Sequence, residues 1–210
     1  MIWHTKQSNL LASTSILKRG FKAEAEKIAT EYRERLNIHP CAPLCAFKLA
    51  KYLNIGIYSA TEFLKEEIEL RKLEGRDVEN YGWSALTMVT KQGNRIIIHN
   101  NFHSPSRQQS NLMHEIAHVL CEHKAKELPK EFNLPLGMRD FDKLQEEEAI
   151  YLGSTLQLSK PCLFWARKRN MTNDEIANYF NASIEMVNFR MGITGINKNN
   201  FRKKKSEKQP

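Results

Sequence analysis

The sequence has few cysteines, no long apolar segment and no internal repeat. Its four cysteines, Cys41, Cys45, Cys121 and Cys162, form no CxxC pair, which argues against a disulfide framework or a paired-cysteine zinc module. Residues 1–20 lack the continuous apolar segment of a signal peptide. No window approaches the roughly 20 apolar residues that cross a bilayer. We therefore expect a cytoplasmic protein with no membrane association and with reduced thiols.

Length and composition indicate one folded domain with a small appendage. The chain has 210 residues, of which 41% are hydrophobic, enough for a packed core. Its formal net charge is +8, and much of that charge lies in residues 196–210, where Arg202, Lys203, Lys204 and Lys205 run together. Such a run is typical of a disordered, solvated tail. Contact with nucleic acid or an acidic partner is the alternative.

Hydrophobic periodicity predicts a mainly helical α+β fold. Residues 1–17 show no clear period and are left as an N-terminal extension. The predicted helices cover 18–36, 42–53 (with Pro43 in its first turn), 61–73, a segment capped by Ser104, 143–158 and 161–168. A strand is predicted at 55–60, a hairpin with a Gly-Asn turn at 83–100 and a loop at 124–142.

The C-terminal residues 169–195 have the pattern of two short, connected helices. Thr172 is placed to cap the first helix and Ser183 to cap the second, which predicts a helix-turn-helix-like segment. A DNA-binding regulator is therefore one hypothesis. The second helix offers only Asn188 and Arg190 as base-reading side chains, fewer than a recognition helix usually presents. This favours packing of the segment against the body of the protein.

The segment NLMHEIAHVLCEH carries the most specific chemical pattern, HExxH. His114 and His118 are four residues apart, so on a helix both imidazoles can reach one metal ion. Glu115 lies next to them and can take a proton from water. The aliphatic residues Leu112, Ile116, Val119 and Leu120 form a stripe that is expected to pack on the core.

A third ligand is predicted on the helix at 143–158. Glu146 lies at the edge of that helix's apolar face, whereas Glu147 and Glu148 are expected to point well away from it. Ala149 and Gly153 are small enough for another helix to pack closely there. A carboxylate on such a face needs a partner. Two histidines and one carboxylate leave a fourth position for water, as in a catalytic Zn²⁺ site. A metal site at His39, Cys41 and Cys45 is a weaker alternative, because that spacing fits no common zinc module.

These motifs resemble the ImmA/IrrE-type metallopeptidases of bacteria and their mobile genetic elements, over most of the chain. The resemblance rests on PLCAFKLAKYLNI, on RIIIHNNFHSPSRQQSNLMHEIAHVL and on EEEAIYLGSTLQL. It implies a zincin-like domain at 18–168 with a small β-sheet, and a glutamate ligand three residues before Ala149, which is Glu146. It also implies cleavage of a cytoplasmic protein, typically a helix-turn-helix transcriptional repressor, and thereby a role in gene regulation. Some members of the family have weak or undemonstrated peptidase activity.

The resemblance leads to a specific hypothesis: a zinc metalloendopeptidase with His114, His118 and Glu146 as ligands and Glu115 as catalytic base. The alternatives are a metal-binding regulator and a protein that binds a repressor without cleaving it. For the strand at 95–100 we consider both a core role and an edge role in substrate docking. The candidates for additional stabilising groups are His103, Arg107 and Tyr151.

Overall fold

The computed structural model describes residues 16–63, 84–90, 92–124 and 142–196. Four predicted features lie wholly or largely outside these residues. They are the N-terminal extension, the helix at 61–73, the loop at 124–142 and the basic tail.

Within the described residues the fold is mainly helical with a small sheet, as predicted. Its elements in chain order are α1 (Phe21–Arg35), α2 (Ala46–Tyr52), β1 (Gly56–Ser59), a 3₁₀ turn (Ala60–Glu62), β2 (Ala85–Val89), β3 (Arg95–His99), α3 (Pro105–Leu120), α4 (Lys143–Gln157), α5 (Lys160–Lys168), α6 (Asn173–Phe180) and α7 (Ile184–Thr194).

The start of α2 differs from its prediction. The helix begins at Ala46 because Cys45 has extended backbone angles, so Pro43 precedes the helix instead of lying in its first turn. The amide of Ala46 donates a hydrogen bond of 2.8 Å to Oε1 of Gln109 on α3. A first-turn amide has no partner within its own helix, and here a side chain from a distant element supplies one.

The sheet has the strand order β1–β3–β2. The predicted hairpin is confirmed: β2 pairs antiparallel with β3, with Ala85 opposite His99, and Gly93 has the positive φ of 84° in the turn. β1 pairs parallel with the other side of β3. Of the two roles considered for the strand at 95–100, the core role is confirmed and the edge role is wrong, because β3 is central. The parallel pairing of β1 is a long-range contact that no local pattern of the hairpin encodes. In the described part of the chain, β1 and β2 are the two edge strands of the sheet.

Helices α3 and α4 approach each other almost to backbone contact. A Cβ atom on Gly153 of α4 would lie 2.9 Å from the carbonyl oxygen of Met113 and 3.0 Å from Cα of His114. Ala149, one turn earlier, is fully buried. The close packing expected at these two small residues is confirmed. Leu112 and Ile116 of α3 share the main core with residues of α1 and α4.

A second core joins α5, α6 and α7, and includes Phe180 and Val187. Thr172 and Ser183 cap α6 and α7 as predicted. Arg190 of α7 is fully buried and forms an ion pair of 2.6 Å with Glu26 of α1. A buried charge requires such a partner, and this one connects the C-terminal helices to the body of the protein.

The close approach at Gly153 predicts the effect of a single methyl group there. Gly153→Ala is expected to lower the free energy of unfolding by about 1–3 kcal/mol, because the methyl group meets backbone atoms that cannot rotate away. Alanine's helix propensity, about 1 kcal/mol better than that of glycine, opposes this loss. Urea denaturation measures the difference, with Lys143→Ala, at an exposed residue in the first turn of the same helix, as the control. An unchanged or higher stability in Gly153→Ala would show that the approach is not a constraint.

Candidate metal centre

Helix α3, which carries the HExxH motif, begins where the sequence predicts. Pro105 occupies its first turn, and Oγ of Ser104 accepts a hydrogen bond from the amide of Arg107. The helix is buried on all sides from Gln109 to His118. The aliphatic stripe packs on the core as expected, with Leu112 and Ile116 fully buried and with Val119 and Leu120 partly buried. The polar face is buried too, so its polar side chains need partners within the protein.

The structure brings His114, His118 and Glu146 together. The two Nε2 atoms lie 3.1 Å apart. The carboxylate oxygens of Glu146 lie 3.8 Å from Nε2 of His114 and 3.6 Å from Nε2 of His118. Ligands of a tetrahedral zinc with bonds of roughly 2.0–2.1 Å are separated by about 3.4 Å. The observed separations lie on both sides of that value, so these three side chains fit one divalent cation.

In the part of the chain that the structure describes, these three side chains form the one group of His, Cys, Asp or Glu residues that is compact enough to hold a metal ion. The alternative at His39, Cys41 and Cys45 is not such a group. There the amide of Cys41 donates to Nδ1 of His39, and the Cys45 sulfur accepts a hydrogen bond from Gln109. These contacts stabilise the segment before α2.

The neighbours of Glu146 are buried as well. Glu147 and Glu148 are expected to point away from the apolar face of α4, and on that other side of the helix both are covered. Glu147 accepts a hydrogen bond of 3.3 Å from the amide of Ile16, and Glu148 lies 3.0 Å from Nε2 of His123. The helical wheel did not reveal this burial, because it considers only the apolar face of α4. The opposite side is covered by polar groups from distant segments, which no hydrophobic pattern reveals.

Glu115, the proposed base, is held by β2, an edge strand of the described sheet. Its side chain is buried, and Oγ1 of Thr87 on β2 donates a hydrogen bond of 2.7 Å to its Oε2. Sequence reasoning missed Thr87, because a threonine in a strand carries no signal of its own. Its role becomes visible only when the hairpin is placed against α3.

A third histidine contacts the HExxH pair. Nδ1 of His123 lies 2.9 Å from Nδ1 of His118, on the far side of that ring from Glu146. Sequence reasoning missed this residue as well. The available signal was a histidine just beyond the end of the motif's helix. Cys121, between these two histidines in the sequence, does not belong to the compact group of ligands. Burial and, to a smaller extent, the Glu148 carboxylate raise the pKa of its thiol to about 12.

The three residues considered as additional stabilising groups, His103, Arg107 and Tyr151, lie in separate environments. Nδ1 of His103 lies 3.1 Å from the side-chain nitrogen Nδ2 of Asn111, one turn before the motif, and burial lowers the pKa of His103 to about 4. Burial also lowers the pKa of Arg107. Tyr151 packs edge-on against Phe21, and the guanidinium of Arg190 lies over its ring. These contacts give Tyr151 a packing role between α1, α4 and α7.

An HExxH helix on a small sheet, with a carboxylate delivered by the next long helix, defines a zincin-like domain of the metallopeptidase class. A family model agrees: the IrrE N-terminal-like domain, peptidase family M78, matches residues 61–191. The chain belongs to this family, as the resemblance in the sequence indicated. Searches of curated proteins and of solved structures gave no match. Among the described helices none is both long and apolar enough to cross a membrane.

The geometry predicts one bound metal ion per chain. Purified wild-type protein is expected to contain about one equivalent of a divalent metal, measured by elemental analysis, and His118→Ala is expected to contain almost none. Removing one of three protein ligands leaves too few for a stable site. His39→Ala, at an exposed histidine, is the control and should keep its metal. Equal metal content in the wild type and His118→Ala would remove this site from consideration.

Proposed function

We propose that the protein is a zinc-dependent endopeptidase that cleaves a cytoplasmic protein. His114, His118 and Glu146 hold the metal, and Glu115 is the general base. The observation that carries this proposal is the convergence of two imidazoles and one carboxylate within ligand distance. The buried carboxylate of Glu115 lies next to them, on the same turn of α3 as His114. Membership of the M78 family supports a metallopeptidase.

Zinc is the metal we assign, from the chemistry of the donors. Two imidazole nitrogens and one carboxylate oxygen form the ligand set of many catalytic zinc sites, with one position left for a water molecule. Magnesium and calcium favour sites made of oxygen ligands alone. When bound, the zinc supplies positive charge that lowers the pKa of water and polarises the scissile carbonyl group.

Glu115 moves the proton. Its carboxylate accepts a proton from the attacking water and passes it to the nitrogen of the leaving amine, which completes hydrolysis without a covalent enzyme intermediate. Thr87 holds one carboxylate oxygen at 2.7 Å, which limits rotation of the Glu115 side chain. Such preorganisation matters because a general base must lie within hydrogen-bond distance of the proton that it removes.

The edge strand β2 is the proposed docking site for the substrate backbone. Thr87 lies in the middle of β2 and contacts Glu115, so the strand runs beside the catalytic base. One side of β2 pairs with β3, and in the described structure no strand pairs with its other side. An extended peptide added there would gain backbone hydrogen bonds with little demand on its sequence.

A helix-turn-helix repressor is the substrate we propose, and the resemblance to ImmA/IrrE-type peptidases supports it. A recognition-helix role for α7 of the protein itself is disfavoured. Arg190 is one of the two side chains that could read bases, and it is fully buried in its ion pair with Glu26. The other, Asn188, accepts a hydrogen bond from the side chain of Asn173 on α6.

Co-expression with a helix-turn-helix protein encoded beside the gene tests this function. Intact mass spectrometry is expected to show two defined fragments of that protein with wild type and none with Glu115→Gln. The glutamine variant should still bind metal, because the three ligands are unchanged. Intact candidate substrate with metal-loaded wild type would contradict the proposed cleavage of that protein, and fragments with Glu115→Gln would exclude Glu115 as the base.

The contact between Thr87 and Glu115 predicts a kinetic effect. Thr87→Val keeps the shape of the side chain but removes the donor to Oε2. We expect kcat to fall roughly 10- to 100-fold, as for the loss of one hydrogen bond to a charged group, with metal content unchanged. Cleavage rates at saturating substrate give kcat. A wild-type rate in this variant would show that Thr87 does not position the base.

A further inference from the structure

Helix α3 ends in a turn that brings the next residue back against the metal site. The amide of His123 donates to the carbonyl oxygen of His118 at 3.0 Å, and the amide of Glu122 donates to that of Val119 at 3.1 Å. Glu122 has a left-handed backbone, with φ of 55°. This pair of bonds around a left-handed residue is the Schellman motif, in which the residue after the turn contacts the last turn of the helix. Here the contacting residues are His123 and His118.

The turn creates a row of three buried side chains. Nδ1 of His118 and Nδ1 of His123 lie 2.9 Å apart, and Nε2 of His123 lies 3.0 Å from Oε2 of Glu148 on α4. The side chains of His123 and Glu148 are only 4% and 11% exposed. The row therefore runs through the protein interior from α4 to the imidazole that faces Glu146.

The row has one consistent arrangement of protons once His118 is a metal ligand. Nε2 of His118 must keep its lone pair for the metal, so Nδ1 carries the hydrogen and donates it to Nδ1 of His123. His123 then carries its own hydrogen on Nε2 and donates it to the Glu148 carboxylate. Each contact has one donor and one acceptor, as buried polar groups require.

We propose that His123 and Glu148 are positioning residues that fix the tautomer and the orientation of His118 and so raise the affinity of the site for its metal. The inference rests on the metal site proposed above. A metal-binding histidine commonly donates its second ring N–H to a carboxylate, a backbone carbonyl or water. In this protein a second imidazole lies between the ligand and the carboxylate, which allows a residue of α4 to act on a ligand of α3 across that gap.

Metal affinity tests the proposal without any substrate. Competition with a chromophoric chelator is expected to show roughly 10- to 100-fold weaker zinc binding for His123→Ala and for Glu148→Gln than for wild type. His123→Asn should bind with intermediate affinity, because its side-chain oxygen can replace the acceptor at Nδ1. The matched control is Glu147→Gln, which changes the neighbouring buried carboxylate outside the row and should leave affinity unchanged.

Nuclear magnetic resonance gives a second readout. In the zinc-loaded wild type, long-range ¹H–¹⁵N spectra are expected to show a hydrogen on Nδ1 of His118 and on Nε2 of His123. Hydrogens on the opposite nitrogens in wild type would overturn the proposed arrangement.

The outcomes separate this inference from the proposed function. Wild type without any bound metal would contradict the metal site itself. If wild type binds one zinc, and His123→Ala and Glu148→Gln bind zinc as tightly as wild type, the metal site stands and the positioning role is overturned. An equal loss of affinity in Glu147→Gln would also overturn it, by showing only a general effect of altering α4. Should His123→Ala fail to fold, the isosteric Glu148→Gln and His123→Asn decide the question.

Discussion

The contact between α3 and α4 at Gly153 is the constraint on which the rest of the site depends. The backbones meet with no side chain between them, and the point of contact is the peptide group that joins Met113 to His114. This closeness lets the Glu146 side chain of α4 reach the histidines of α3. Glu146 lies within 3.8 Å of Nε2 of His114, a distance that a small displacement of the helix would take outside the range of a shared metal ion. Packing and metal chemistry are therefore set by the same contact.

The same contact buries the polar face of α3, and burial makes each polar side chain dependent on a partner. The partners come from different elements: Thr87 on β2 for Glu115, Glu146 on α4 for the histidine pair, and His123 after the helix for His118. Each of these partners lies outside α3 itself. The site exists only in the assembled domain, which explains why the hairpin and α4 are needed as well as the motif.

Local patterns were enough to predict the parts of the site that lie on one helix. HExxH spacing predicted His114, Glu115 and His118, and the small residues of α4 indicated Glu146. Partners that depend on packing between elements could not be found in this way. Thr87 and Glu148 become recognisable only when β2 and α4 are placed around α3. A core and an edge role for β3 stayed open for the same reason, because its parallel pairing with β1 is a long-range contact.

Backbone conformation supports a special role for the turn after α3. In the described residues five non-glycine positions have positive φ, and four of them are asparagines, which tolerate the left-handed region. Glu122 is the exception. A glutamate in the left-handed region costs roughly 1 kcal/mol or more of conformational free energy. Such strain persists only where the surroundings determine the conformation. The contacts of His123 with His118 and Glu148 fix the conformation of this turn. The row of side chains that the turn assembles therefore offsets the conformational cost at Glu122.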